Sequence, residues 1–246
     1  MTKLVYLLWT AEPMSPAERR VALLERCAPR LLQLEPSGLM VFVADEHADM
    51  PSPSPRLPVG KPPFVAQVNI WLGDPAARPP YEALLREAGF EIAGYRVDEW
   101  LYSDYGDNPH APRRNWPDGQ RSPGIQYTTL LQKPPGLPRD EWMRRWFGWQ
   151  SPMSEWMQPR TRYVRNVVEE VLTPGAMTLD GIVEEDWPSK EHVLNKRLFF
   201  GANSALGLVG NILTMLGSVR RVLRWWNIYS VVQSEYFIRT PGETRS

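Results

Sequence analysis

The chain reads as an α+β protein: two tandem ferredoxin-like β-α-β-β-α-β repeats packed against each other as a barrel within one molecule. Three observations predict this. The order of strand-like and helix-like runs recurs at half length, prolines recur with it, and a polar, proline-rich connector lies between the halves. When the 246-residue sequence is shifted by half its length, the apolar run 4–9 corresponds to the run 125–132. Each run leads into a helix. In the first half Ser15 can cap and Pro16 can take the first helical position, ahead of Val21, Leu23, Leu24 and Leu31. In the second, residues 134–138 lead to Trp142, Met143, Trp146 and Phe147. Pro29 and Pro36 fall on Pro152 and Pro159, and the next strands, 39–43 and 162–168, align Val41 with Val164.

Each half then continues alike, with a third strand (64–72; 181–187), a helical stretch (80–88; 190–226) and a fourth strand carrying an acid-aromatic step, Glu99-Trp100 and Glu235-Tyr236. A four-stranded sheet with helices on one face leaves its other face to be covered, and the second copy supplies the cover. The domains expected are 1–104, a degenerate first repeat; 105–124, a linker; and 125–246, a second repeat with an enlarged hydrophobic second helix. The proline-rich stretch 48–63 reads as an extended loop.

Composition narrows the function. With 28 Lys and Arg against 28 Asp and Glu, the chain lacks the cationic excess of a general nucleic-acid binder. The single cysteine, Cys27, forms no intrachain disulfide, and no zinc-type Cys/His spacing is present. A short apolar start with one charge, Lys3, reads as a strand, so a cytoplasmic location is expected. His47, His110 and His192 are scattered, and no DxD, HExxH, GxSxG or phosphate-loop pattern occurs, so neither a metal nor another cofactor is expected.

The second half carries more specific residues. The segments 132–142 (QKPPGLPRDEW), 146–153 (WFGWQSPM), 162–166 (RYVRN) and 180–184 (DGIVE) together resemble the EthD-like family of dimeric α+β-barrel proteins. The resemblance implies a small-molecule protein, and because relatives of this barrel include polyketide cyclases, small cofactor-free monooxygenases and haem-handling enzymes, it fixes no single chemistry. Where that family has the histidine of a His-Gly-Pro segment, this chain has Gln150. An amide can orient or hydrogen-bond a group, whereas it cannot serve as the neutral-pH base that imidazole would be. The equivalent position in the first half is Cys27, at the end of a helical turn where the dipole disfavours a thiolate.

Tyr163, Asn166, Glu184 and Gln150 are therefore the candidate catalytic residues, and Tyr127, Trp146, Trp149, Arg165 and Asp186 the candidate ligand contacts. Glu184 and Asp186 share a strand face by the period-two rule and should line the barrel, where paired acids suit proton transfer. Tyr127, Tyr163, Asn166 and Arg165 are expected to line the same lumen and to favour a flat, mostly apolar ligand with a few oxygens. Trp142, Trp146, Trp149 and Trp156 recur at helical spacing and read as one packing stripe.

The segment 198–219 lacks charge and lies between Lys196-Arg197 and Arg220-Arg221. Its polar residues and glycines argue against a membrane span. A continuous apolar stripe from Leu198 to Trp226 predicts a glycine-containing helix or helix pair, with Gly207, Gly210 and Gly217 the places where it could break, that covers a pocket, contacts a second subunit in a homodimer, or rests on a membrane surface. The function expected is binding of a lipophilic oxygenated compound, such as a polyketide, steroid or aromatic catabolite, with cyclase, dehydratase or lyase-type proton transfer. The alternative is a non-enzymatic carrier or scaffold that uses 198–226 for partner or membrane contact.

Overall fold

The computed structural model describes residues 1–51, 63–224 and 228–242. Most of the stretch 48–63, and the end of the apolar stripe at Trp225 and Trp226, lie outside the described residues. Eight strands form one antiparallel sheet: β1 (Thr2–Thr10), β2 (Gly38–Val43), β3 (Ala66–Leu72), β4 (Phe90–Ser103), β5 (Ile125–Leu131), β6 (Arg162–Val171), β7 (Gly181–Trp187) and β8 (Tyr229–Arg239). The sheet closes on itself in the order β1-β3-β2-β8-β5-β7-β6-β4, with β4 returning to β1.

This corrects the expected fold of two tandem ferredoxin-like repeats packed sheet against sheet. The observed arrangement is a single closed barrel with a few helices outside it. Two seams make the difference: β2 pairs with β8 from Leu39 to Val43, and β4 pairs with β6 from Tyr95 to Ser103. β4 is long enough to serve both neighbours because it runs for 14 residues, pairing with β1 through its first part and with β6 through its last. Closure leaves the barrel strands without an unpaired edge, a stronger arrangement than stacking two open sheets.

The helices flank the barrel. Along residues 16–33, α1 (Pro16–Arg20) and α2 (Ala28–Gln33) are joined by a π-helical turn, Val21–Cys27. The expected cap is present as a full capping box, in which the Ser15 side chain accepts from the Glu18 N–H and the Glu18 carboxylate accepts from the Ser15 N–H. α3 (Pro79–Glu87) precedes β4. In the second half α4 (Arg139–Arg145) and α5 (Ser151–Met157) are likewise joined by a π-helical turn, Trp146–Gln150. Both π turns end one residue before the short helix that holds a proline, Pro29 or Pro152, at its start. A proline inside a helix has no N–H to donate and crowds the carbonyl of the preceding turn, and a widened turn relieves that crowding without ending the helix.

The π turn also breaks the expected tryptophan stripe. Trp142 and Trp146 are buried, but beyond the widened turn Trp149 is 54% exposed and Trp156 77% exposed. The final helical stretch is divided into α6 (Lys190–Leu194), α7 (Lys196–Phe199) and α8 (Ala205–Val222), so the break falls before α8 and not at Gly207, Gly210 or Gly217, which lie within it. Gly201 permits the break at a positive φ of 56°, where a Cβ would stand 2.3 Å from the Met157 carbonyl oxygen. None of the described helices is long and apolar enough to cross a membrane.

Strand alternation gives the barrel two kinds of interior. Outward residues of β1–β4, including Leu4, Tyr6, Val41, Val68 and Ile70, pack under the first-half helices against Leu23, Leu31, Tyr81 and Leu85. Inward residues fill the lumen itself. One end is apolar, with Val5, Leu7, Tyr95, Val97, Leu130, Val168 and Ile182, and the middle is polar.

Candidate functional site

Glu184 is the centre of the lumen. Its carboxylate accepts from Lys3 Nζ at 3.1 Å, Gln67 Nε2 at 2.7 Å, Asn69 Nδ2 at 2.8 Å and Asn166 Nδ2 at 3.0 Å. Lys3 also donates to Glu99 at 2.8 Å and lies 4.9 Å from the centre of the Trp71 ring, whose indole N–H donates to Glu99 at 2.8 Å. Burial alone would raise the Glu184 pKa, but the charges of Lys3 and Arg162 and the hydrogen bonds it accepts hold it below the ordinary carboxyl range. Every donor comes from an inward position, Asn166 on the neighbouring β6 and Lys3, Gln67 and Asn69 on β1 and β3 across the lumen, so Glu184 ties β1, β3 and β6 to β7.

Asp186, two residues along the same face, is in the opposite state. Burial and the nearby Glu235 carboxylate push its pKa well above the usual range, and Glu235 is itself raised by burial. Arg162 serves both, at 3.8 Å from Asp186 and 3.3 Å from Glu235. Tyr105 donates to Glu235 at 3.0 Å. One cation for two buried acids favours retention of a proton. A carboxyl whose pKa is raised on folding stabilises fully below its unfolded pKa, and that contribution is lost as pH rises through the folded value. Asp186→Asn is therefore expected to flatten the loss of stability on the alkaline side, measured as denaturant midpoints from mildly acidic to alkaline pH. An unchanged slope would show that the pair does not hold a proton.

The lumen is filled by these groups, and the cavity of interest lies outside it. A cleft of about 390 Å³ opens between the outer face of the sheet at β5–β7 and the second-half helices. Tyr127, Thr129, Leu131, Tyr163, Val183, Glu185 and Trp187 form its floor, Trp146, Gln150 and Ser154 one wall, and Met215, Leu216, Val219 and Val222 of α8 the roof. Phe199 stacks on Trp187 at 4.6 Å and 14°. Gly181 allows the Trp146 indole to lie against the sheet, since a Cβ there would be 2.9 Å from the ring.

Two polar atoms on residues lining this cleft lack a partner among the described residues: Tyr127 Oη and Trp187 Nε1, on residues 2% and 1% exposed. Burial, followed by the Glu185 charge, raises the Tyr127 pKa, so the phenol stays protonated and can donate. Several other polar groups at the cleft are engaged. Tyr163 Oη lies 3.3 Å from both Trp146 Nε1 and Ser151 Oγ, with the Arg160 guanidinium 3.9 Å above its ring. Arg160 is fully buried and donates to Glu185 at 2.6 Å, Glu155 at 2.8 Å and Ser154 at 2.9 Å. Gln150 accepts from Ser218 Oγ and donates to Met215 Sδ at 3.5 Å, which ties the π turn to α8.

The structure thus divides the sequence-derived candidates. Tyr127, Trp146, Gln150 and Tyr163 meet at the cleft, whereas Asn166, Glu184 and Asp186 point into the lumen on the other side of the sheet. Tyr163 and Asn166 are three positions apart on a strand and so face opposite ways, which corrects the expectation that they line one lumen. Arg165 lies on the outer face beside the cleft, 3.8 Å from Phe147 and 4.8 Å from Tyr102 by ring centre, and donates to Ser151 at 3.2 Å. Trp149 is turned to solvent. Cys27 is buried under the first-half helices, where burial pushes its thiol up to about 11, so it is no nucleophile near neutral pH. Sequence reasoning missed Trp187, Glu185 and Lys3. Strand alternation from Tyr127 and Tyr163 could have found the first two, because Trp187 and Glu185 share their face.

No family model matches the chain, and no curated protein does. Solved structures match over nearly the whole length. An anthrone oxidase-like protein shares 14% identity at a TM-score of 0.57, covering 98% of this chain and 94% of its own. A provisionally assigned monooxygenase from Fusobacterium nucleatum subsp. nucleatum shares 8% identity at a TM-score of 0.52, covering 97% and 93%. At such identities the likeness is one of fold: the chain shares its overall fold with these two proteins over nearly its whole length.

Proposed function

We propose that the chain binds a flat, lipophilic, oxygen-bearing aromatic molecule in the cleft beneath α8, as an EthD-like protein without a bound metal. One observation carries this reading: an apolar, aromatic cavity is lined by residues carrying two buried donors, Tyr127 Oη and Trp187 Nε1, that no group among the described residues satisfies. An unpaired buried donor costs about 1–3 kcal/mol, and a ligand oxygen is a partner that would recover it. Two donors directed at a carbonyl or phenolic oxygen would also stabilise that oxygen as it gains negative charge, which favours loss of a proton from the adjoining carbon. For a tricyclic ketone such as anthrone, the carbanion formed at the ring methylene, conjugated to the carbonyl through the aromatic rings, can react directly with dioxygen, giving anthraquinone and one water. The name of the anthrone oxidase-like neighbour makes that compound the first probe. Gln150, held by Ser218 and Met215, orients the ligand rather than accepting the proton. Glu185, held by Arg160, is the carboxylate at the cleft and the group that would receive it.

The test is titration of the protein with anthrone and anthraquinone, followed by tryptophan fluorescence, with oxygen uptake measured in parallel. Saturable quenching at one site per chain is expected, with Tyr127→Phe weakening binding about fivefold, the worth of roughly one neutral hydrogen bond. The same variant should melt no earlier than the parent, since it deletes an unsatisfied buried hydroxyl. Binding without oxygen uptake would leave a carrier. Absence of saturable binding by hydroxylated and keto aromatics would refute the reading.

A further inference from the structure

The outer face of α8 has no protein cover. Leu206, Val209 and Leu213 are 87%, 55% and 64% exposed, and Leu216, which also borders the cleft, is 46% exposed; their spacings of three, four and three place them in one stripe along the helix. Isolated exposed leucines are ordinary, but an aligned row on a single helix calls for an explanation. Beside it, on the adjoining helical segment, Trp149 and Trp156 are the most exposed tryptophans among the described residues.

The charge around this stripe indicates what covers it. The chain as a whole is balanced, with 28 basic and 28 acidic residues, yet residues 196–234 contain five basic residues and no acidic one. Lys196 and Arg197 are exposed before the helix, Arg220 continues the apolar stripe one turn beyond Leu216, and Arg221 is exposed next to it. An apolar row flanked at both ends by cations, with indoles alongside, matches a helix lying in the plane of an anionic bilayer surface. α8 has 18 residues and none of the described helices is suited to crossing, so the helix would rest on the surface.

We propose that α8 docks the protein on an anionic lipid surface. The opposite face of the helix roofs the cleft through Met215, Val219 and Val222, so docking sets the cleft against a reservoir of lipophilic compounds. That last consequence rests on the ligand reading above, while the docking itself does not.

The experiment is co-sedimentation of the full chain with vesicles of phosphatidylcholine alone or mixed with phosphatidylglycerol, at low and high salt. Partitioning should be at least about tenfold stronger onto the phosphatidylglycerol vesicles, and salt should weaken it. The double variant Leu206→Glu/Leu213→Glu should abolish partitioning while retaining the parent's thermal midpoint, because both side chains already face solvent. Arg220→Glu/Arg221→Glu should remove the preference for the anionic lipid. If the leucine double variant melts early, Leu206→Glu alone carries the same test. Equal sedimentation with and without vesicles overturns the proposal. So does a solution dimer that the leucine variant splits, which would assign the stripe to a second copy of the chain. Ligand quenching that persists in either case would leave the binding reading intact.

Discussion

Lys3→Met is expected to destabilise the protein by about 3–5 kcal/mol, the typical cost of removing one partner of a buried ion pair. Both ends of the interaction are out of water: the Lys3 side chain is 1% exposed, that of Glu184 0% and that of Glu99 9%. Methionine restores the volume and leaves two carboxylates facing an apolar side chain, with Arg162 the nearest remaining cation, 3.8 Å from Glu184. Urea denaturation at neutral pH measures the loss. The pH dependence separates charge from packing. In the parent, the lowered Glu184 pKa gives stability that is present above the unfolded carboxyl pKa and is lost as pH falls through the folded value. Without Lys3 that contribution shrinks or reverses, so the gap between variant and parent should narrow on acidification. Adding Glu184→Gln should recover much of the loss at neutral pH. A loss below about 1 kcal/mol would mean that water reaches the lumen.

Trp142→Ala should cost about as much, roughly 3–5 kcal/mol, by opening a cavity under the second-half helices. The indole is completely buried, packs 4.8 Å from the Trp146 ring, and donates from Nε1 to the carbonyl oxygen of Val222 at 2.8 Å. That hydrogen bond pins the end of α8 to α4. Trp142→Phe keeps most of the packing but orphans the carbonyl, and should cost about 1–3 kcal/mol. Both variants should loosen the roof of the cleft, seen as faster amide exchange along α8 than along β5–β7. Unchanged exchange on α8 would show that its seat lies elsewhere.

Much of this molecule was legible in its sequence, and the parts that were not have physical reasons. Strand and helix order follow from periodicity and from local chemistry such as the Ser15–Glu18 cap, both of which act over a few residues. The closed barrel depends on the pairings of β2 with β8 and of β4 with β6. Such pairing leaves no local mark, because an inward residue like Phe42 looks the same beside any strand. Alternation placed Glu184 and Asp186 on the lumen face. The same rule, applied to Tyr163 and Asn166 together, would have separated the cleft from the lumen. Trp149 was assigned to a buried stripe because a regular 3.6-residue turn was assumed, and the π turn before Pro152 changes the phase. A break in the final helical stretch was foreseen at Gly207, Gly210 or Gly217, but it falls at Gly201, which is marked only by its positive φ. Gln150, which stands where the resemblance has a histidine, bonds to Ser218 and Met215 and so links the π turn to α8.

The seam between β2 and β8 bears on the order of events during folding. β8 is the last of the eight strands in the chain, yet it sits between β2 and β5 and supplies a partner to each. During synthesis from the N-terminus, both neighbours wait with exposed backbone donors and acceptors until nearly the entire chain has emerged. Val41 and Tyr236, paired across that seam, are almost the full chain apart, and loops of that span close slowly. A nascent or truncated chain ending before Tyr229 would hold two open edges, the template for strand-to-strand aggregation. The seam that makes the finished barrel edgeless therefore also sets the interval in which the chain is most exposed to misassembly.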